Sequence, residues 1–326
     1  MRDFGRRDFI KMGTGLALSS ALVLPAALAR KAHAAAATPE YLTMVGGGQG
    51  GAWYLGAAAI AELSKKVWPG VATTVTPGGG ISNLKGVGAK KIEVGFAFAM
   101  DVTAAYKGML KFEGKPVKNL RALMSTNGAY LSTVAKPDIK SYADLAGKSS
   151  APGRAGMTGL ASFERIVNQM GVAKDVKIVN TGYGEMSALF QDNVVQSATV
   201  IGSIPHPVVD EILSVSEGHL LPVDDAVADA LGKAFNYEKV TIPAGTFKGQ
   251  DKDVPTIGSV TQVTTYAEMP DEWAYNIVKT TWENRKRMVQ AHKAYGEFGE
   301  EIAVKGVRIP FHPGAAQYWK EIGLLK

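Results

Sequence analysis

The chain is read as an α/β protein of two lobes, each a mostly parallel sheet flanked by helices, the two joined by extended hinge strands. Three observations predict this. Short apolar runs alternate with helical patterns in two successive series. Glycine-rich loops follow several of the predicted strands. Two long extended stretches, Leu120–Ala135 and Thr256–Thr265, suit crossings between lobes. The boundaries expected are residues 39–126 with 255–326 for the first lobe and 127–254 for the second.

In the first series Tyr41–Val45 reads as a buried strand and Gly46–Gly51 as a tight loop. Ala52–Val67 reads as a helix, its apolar residues Leu55, Ala59, Ile60, Leu63 and Val67 spaced near 3.6. A strand over Ala72–Thr76 ends at Pro77-Gly-Gly-Gly, where Ser82 is expected to cap a helix over Asn83–Ala89. Val94–Ala99 is a third strand, and Asp101 is expected to cap a helix beginning at Val102. In the second series, strands are predicted at Ser149–Ala151, Val176–Val179, Ser197–Ile201 and Leu220–Val223. Helices are predicted at Tyr142–Leu145, Leu160–Met170, Glu185–Gln191 and Val208–Val215. A helix from Pro270 to about Ala294 and a short one near Ala315–Ile322 complete the pattern.

The first 34 residues are expected to be removed. Arg6-Arg7-Asp8-Phe9-Ile10-Lys11 precedes an apolar run over Met12–Leu28, and Ala32-His33-Ala34 supplies a small-x-small end. The paired arginines followed by Phe and Lys have the form of a twin-arginine export signal. Pro25 and the glycines and serines of the run make it marginal as a membrane anchor. Removing six basic and two acidic residues takes the net charge from +6 to +2, so little supports nucleic-acid binding. The absence of cysteine excludes disulfides, thiol catalysis and a lipid-bearing cysteine at the start of the processed chain. The expectation is a soluble periplasmic protein without a lipid tether.

A loop that leaves a parallel strand and opens a helix presents unpaired N–H groups, and the helix dipole favours an anion or polar oxygen there. Segments 46–51, 78–82, 100–101 and 153–158 fit this description. The ligand-binding candidates are Gly48, Gln49, Gly50, Trp53 and Tyr54 from the first segment and helix, with Gly80, Ser82 and Asn83 from the second. Met100 and Asp101, then Arg154, Met157 and Thr158, and finally Tyr183 and Ser203, complete the set. Arg154 is the candidate two-pronged partner of a carboxylate, with a solvated loop arginine as the alternative. Asp101 has a second possible role in orienting an N–H or amine of the ligand.

Gly46-x-Gly48-x-x-Gly51 also matches a dinucleotide fingerprint, but Val75-Thr76-Pro77 supplies no acid for the ribose. His206, His219, His292 and His312 lie in no metal-ligand spacing, and no Gly-x-Ser-x-Gly elbow is present. The reading is therefore a non-enzyme with no cofactor and no metal. An exported oxidoreductase using the Gly46–Gly51 loop and a periplasmic ligand sensor of the same fold are the alternatives.

Across nearly all of the processed chain the sequence resembles the TAXI-type solute receptors of the tripartite ATP-independent periplasmic (TRAP) transporters. The resemblance is carried by Gly46–Leu55, Pro77-Gly-Gly-Gly-Ile-Ser-Asn83, Asp144-Leu-Ala-Gly-Lys148, Ile242-Pro-Ala-Gly-Thr-Phe-Lys-Gly-Gln-Asp251 and Phe311-His-Pro-Gly-Ala-Ala-Gln-Tyr318. It implies a hinge-closing type II periplasmic binding fold, membrane permease subunits as partners, uptake driven by an ion gradient, and a carboxylate or amino acid as ligand. Ala99-Met100 and the shortened loop Gly153–Thr158 depart from the family pattern and make the pocket more apolar.

Overall fold

A computed structural model describes residues 38–326; the expected signal over residues 1–34 lies outside them. The chain runs β1 (Tyr41–Val45), α1 (Ala52–Val67), β2 (Ala72–Thr76), α2 (Gly80–Gly88), β3 (Val94–Phe98), α3 (Ala99–Lys107) and the long β4 (Leu120–Ala135). It continues through β5 (Ser149–Ala151), α4 (Thr158–Gln169), β6 (Lys177–Ile178), α5 (Tyr183–Gln191), β7 (Ser197–Gly202), α6 (Pro207–Val215) and β8 (His219–Leu220). After α7 (Asp225–Phe235) and β9 (Glu238–Ile242) comes β10 (Val254–Tyr266), followed by α8 (Asp271–Glu283), α9 (Arg285–Ala291), α10 (Glu300–Ala303) and α11 (Pro313–Glu321).

The strands join in the order β2-β1-β3-β10-β4-β7-β5-β6. Pairing is parallel within β2-β1-β3 and within β7-β5-β6. Between these groups β10 and β4 run antiparallel to their neighbours and to each other. Each half is thus a helix-flanked parallel sheet, and two long shared strands connect the halves. This is an α/β architecture of two helix-flanked parallel groups joined by two crossing strands. The expected boundaries at 126/127 and 254/255 fall within β4 and at the start of β10.

The pairing of β4 with β10 is interrupted where the halves meet. Gly128 faces Val260 and Ser125 faces Gln262, so Thr126 and Asn127 together oppose Thr261. Such a bulge bends a strand and re-aims a side chain. Here it brings Asn127 to the wall of the cleft described below.

The first-lobe core packs α1, α8 and α11 against one face of the sheet. Leu42, Met44, Ile60, Val94, Phe96 and Val263 are buried in it. The side of α1 that enters this core is small. A Cβ at Gly56 would lie 1.9 Å from the Tyr295 hydroxyl, so only glycine admits that ring. The hydroxyl donates to the Ala52 carbonyl at 2.6 Å and so fixes the start of α1. Trp319 is fully buried, stacks edge-on with Trp282 at 5.2 Å, and donates its Nε1–H to the Leu123 carbonyl at 2.8 Å.

Four expectations about elements are corrected. Helix α2 begins at Gly80 behind Gly79, and Ser82 lies inside it. Helix α3 begins at Ala99, which places Asp101 in its first turn and leaves Phe98 at the cap. The helix expected over 270–294 breaks at Asn284, whose Nδ2–H donates back to the Thr280 carbonyl at 2.8 Å. That bond competes with helix continuation, and the chain resumes as α9 before a 3₁₀ turn over Lys293–Glu297. Residues 224–254, which carry no predicted element, form α7 and β9.

Trp319→Ala is expected to lower the unfolding free energy by about 3–5 kcal/mol, the cost of an aromatic-sized core cavity. Urea unfolding monitored by circular dichroism measures it.

Candidate ligand-binding cleft

A cleft of about 760 Å³ lies between the two halves. Several helices begin on it. Ala52 and Trp53 open α1, Gly80 opens α2 and Thr158 opens α4, and all four residues line the cleft. First-turn N–H groups have no partner within their own helix. The first turns of α1, α2 and α4 contain no acidic residue of their own, although the Asp101 carboxyl of α3 lies beside the starts of α2 and α4. From the second half, Tyr183 opens α5, and Pro207 and Val208 open α6, on the same cleft.

One side chain holds the two first-lobe loops in place. The Asn83 Nδ2–H₂ donates to the carbonyls of Gly46 and Phe96, each at 2.8 Å. Its Oδ1 accepts from Gly79 N–H at 3.2 Å. Asn83 is 1% exposed and does not reach the cleft. The contact is too close for any other residue at Gly78, where a Cβ would lie 2.2 Å from the Asn83 Oδ1. Ser82 closes the same turn: its Oγ accepts from Gly79 N–H at 3.1 Å and donates to the Gly79 carbonyl at 2.8 Å.

The cleft walls are aromatic. Trp53 and Phe98 pack edge to face, with centroids 4.5 Å apart, and the Trp53 Nε1–H donates to Thr261 Oγ1 at 3.0 Å. On the second half Tyr183 and His206 pack edge to face at 5.2 Å and 82°. His206 caps α6, its Nδ1 accepting from Val208 N–H at 3.3 Å. Burial pulls its pKa down to about 4, so at neutral pH the ring is uncharged and Nε2 carries the hydrogen. Burial also pushes the Tyr183 hydroxyl up to about 12, which leaves it a neutral donor and acceptor.

A buried polar bond crosses between the halves beside the cleft. Thr158 Oγ1 donates to Asp101 Oδ2 at 2.7 Å. Asp101 is 2% exposed, and burial raises its pKa against the opposing effects of the Thr158 bond and the Arg165 charge. The carboxylate is therefore an inter-lobe partner and not the helix cap expected of it.

Of the predicted residues, Gly48, Gln49, Gly50, Trp53, Gly80, Met157, Thr158, Tyr183 and Ser203 line the cleft. Tyr54, Ser82, Asn83, Met100, Asp101 and Arg154 do not. Met100 is buried in the core beside Phe98 and Leu131. Arg154 is exposed, at the tip of a turn in which its N–H meets the Met157 sulfur at 3.4 Å. Its guanidinium is not among the groups that line the cleft.

Sequence reasoning missed Phe98, Asn127, His206, Asp210 and Thr261, together with His292 and Lys293, which lie on the 3₁₀ turn and its cap. His206 had a legible signal, since His-Pro after a predicted strand end is a helix-start pattern. Asn127 and Thr261 had none, because only the bulge brings them to the cleft. Among the described residues no group of His, Asp and Glu is placed to hold a metal ion, and no helix is long and apolar enough to cross a membrane.

Asn83→Ala leaves buried backbone groups of three segments without partners, and is expected to cost about 2–4 kcal/mol of stability by urea unfolding. The His206 pKa near 4 lies below the unfolded value of about 6.5. The unfolded chain therefore takes up that proton first. The contribution to stability is complete above pH 6.5 and is lost as the pH falls from there toward 4. NMR titration should place the His206 midpoint near 4, and His206→Gln should flatten the fall in stability across that interval.

Comparison with solved structures returns binding proteins at low identity. The periplasmic aliphatic sulphonate binding protein SsuA from Escherichia coli is 15% identical, with 86% of this chain and 79% of that chain covered and a TM-score of 0.45. The alkanesulfonate-binding protein SsuA from Xanthomonas axonopodis pv. citri, bound to MOPS, is 14% identical over 78% and 74%, with a TM-score of 0.46. The glycine/betaine/L-proline-binding protein ProX from Borrelia burgdorferi is 11% identical over 79% and 100%, with a TM-score of 0.44. The model of the NMT1-like family matches residues 44–323. With that match running from the end of the first strand almost to the last residue, the chain belongs to the NMT1-like family.

Proposed function

We propose that this protein is a periplasmic solute receptor that captures a small organic carboxylate between its lobes and delivers it to the membrane subunits of a TRAP transporter. The observation that carries the reading is the convergence of helix starts from both halves on one cleft, through Ala52, Trp53, Gly80 and Thr158. Main-chain N–H groups at positive helix ends can hold a carboxylate without a reactive side chain. The TRAP assignment, with uptake driven by an ion gradient, is supported by the resemblance of the glycine-rich loops and the Ile-Pro-Ala-Gly-Thr and His-Pro-Gly-Ala segments to TAXI receptors. Export by a twin-arginine signal is part of the same proposal and rests on the Arg6-Arg7 pattern.

Capture then follows from the connection between the lobes. Among the described residues only β4 and β10 run through both halves of the sheet, and their bulge at Thr126–Asn127 interrupts the ladder where bending is needed. A ligand that touches both lobes stabilises the closed arrangement by its differential affinity for it. The membrane subunits would read the closed surface.

Ligand binding is expected to raise the melting temperature, with about 2.7 kcal/mol of added stability at a ligand concentration one hundred times Kd. A thermal-shift panel of organic acids and amino acids at millimolar concentration tests capture, and no shift with any of them defeats it. Uptake into proteoliposomes bearing the cognate permease tests the coupling. Accumulation driven by an imposed ion gradient without ATP is expected, and a strict ATP requirement defeats the TRAP assignment.

A further inference from the structure

We infer that the ligand is an aromatic monocarboxylate whose ring packs between the Trp53–Phe98 pair of the first lobe and the Tyr183–His206 pair of the second. The inference rests on the receptor reading and deepens it by naming the chemical class.

Each aromatic pair is already organised. Trp53 is fixed at both ends, by the Phe98 contact at 4.5 Å and by its Nε1–H bond to Thr261. With its one donor satisfied, what half-buried Trp53 offers the cleft is ring surface. Tyr183 is held edge-on to His206, and His206 is uncharged and tied to the start of α6. Ring-on-ring contact is favourable in both stacked and edge-on geometry. A planar ligand placed between the pairs meets aromatic surface from each lobe, so the contact is complete only when both lobes are engaged. Met157, Ile201 and Val208 continue the apolar lining, and a wholly polar ligand would have to be desolvated against them.

The charges on the cleft limit the ligand to one anionic group. No arginine lines it, and Arg154 lies outside. Asp210 on α6 lines it, as does the exposed Lys293 on the opposite half. One carboxylate is served by the start of α1 at Ala52 and Trp53, the Asp101 carboxyl already lying beside the starts of α2 and α4. A second carboxylate on the second-lobe side would meet Asp210, while Lys293 lies on the opposite half, and like charges disfavour that placement. The His206 Nε2–H is left to meet a neutral polar substituent on the ring, as is the O–H of Tyr183, whose oxygen is already bonded to the Ile201 backbone.

Isothermal titration of the purified, ligand-stripped protein tests the assignment with indole-3-acetate, phenylacetate and 4-hydroxybenzoate. Succinate, 2-oxoglutarate and glutamate are the ringless comparators, with phenylalanine and tryptophan as the amine-bearing ones. Binding of at least one aromatic monoacid, tighter than every ringless acid by tenfold or more, is expected. Trp53→Ala and Tyr183→Ala should each weaken it about tenfold, while Trp53→Phe, which keeps a ring and controls for folding, should retain most of the affinity. Preferential binding of the dicarboxylates or glutamate overturns the aromatic class and leaves the receptor reading standing. Tighter binding of the aromatic amino acids than of the aromatic acids overturns the single-charge assignment, with Asp210 as the partner of the ammonium group. Absence of binding by every acid and amino acid in the panel overturns this inference and the capture proposal together.

Discussion

The cleft depends on a single buried carboxamide. Asn83 ties the carbonyl at the end of the loop-bearing strand β1, through Gly46, to the carbonyl of Phe96 in the adjacent β3. It also accepts from the N–H of Gly79, at the turn after β2. Three backbone segments that must come close without covering one another are thereby spaced by one side chain with both a donor and an acceptor end. Because the glycines around it have no side chains to intervene, the helix starts of α1 and α2 remain open toward the cleft. Without that clasp these loops would have to find their own partners, and the N–H groups proposed to meet the ligand are the nearest ones available.

The second lobe is joined to this platform in two ways with different mechanical character. The strands β4 and β10 give a continuous hydrogen-bonded connection, softened by the bulge that carries Asn127. The Thr158–Asp101 bond gives a point contact between α4 and α3, remote in sequence but adjacent to the cleft. A continuous ladder can bend where a point contact must break, so the proposed closure would draw on the two connections differently. The aromatic pairs sit on either side of that division, with Phe98 and Trp53 on one part and Tyr183 and His206 on the other.

Much of this was legible in the sequence. The alternation of short strands and helices gave the parallel groups, because a period of 3.6 in Ala52–Val67 and the all-apolar Val94–Phe98 leave little freedom of assignment. The long runs at Leu120–Ala135 and Thr256–Thr265 were recognisable as crossings for the same reason. The errors share a physical origin. Asn83 and Asp101 were read as ligand-facing or capping groups because their types suit those roles, yet tertiary contacts absorbed both side chains. For Arg154 the sequence leaves a carboxylate partner and a solvated loop arginine both open, and it lies exposed and outside the cleft lining. The break at Asn284 follows from a local bond that a periodicity count does not register, and the contribution of Asn127 and Thr261 follows from a register shift that has no sequence signature.

The crossing contact at Asp101 has a thermodynamic corollary. Asp101 is 2% exposed and receives in return the Thr158 hydroxyl bond and the Arg165 charge; separation of the lobes at that point would return water to it. In the capture proposed above, closure at this point would carry that desolvation cost. A captured molecule would have to offset it from its own contacts, and the same cost would ease its release.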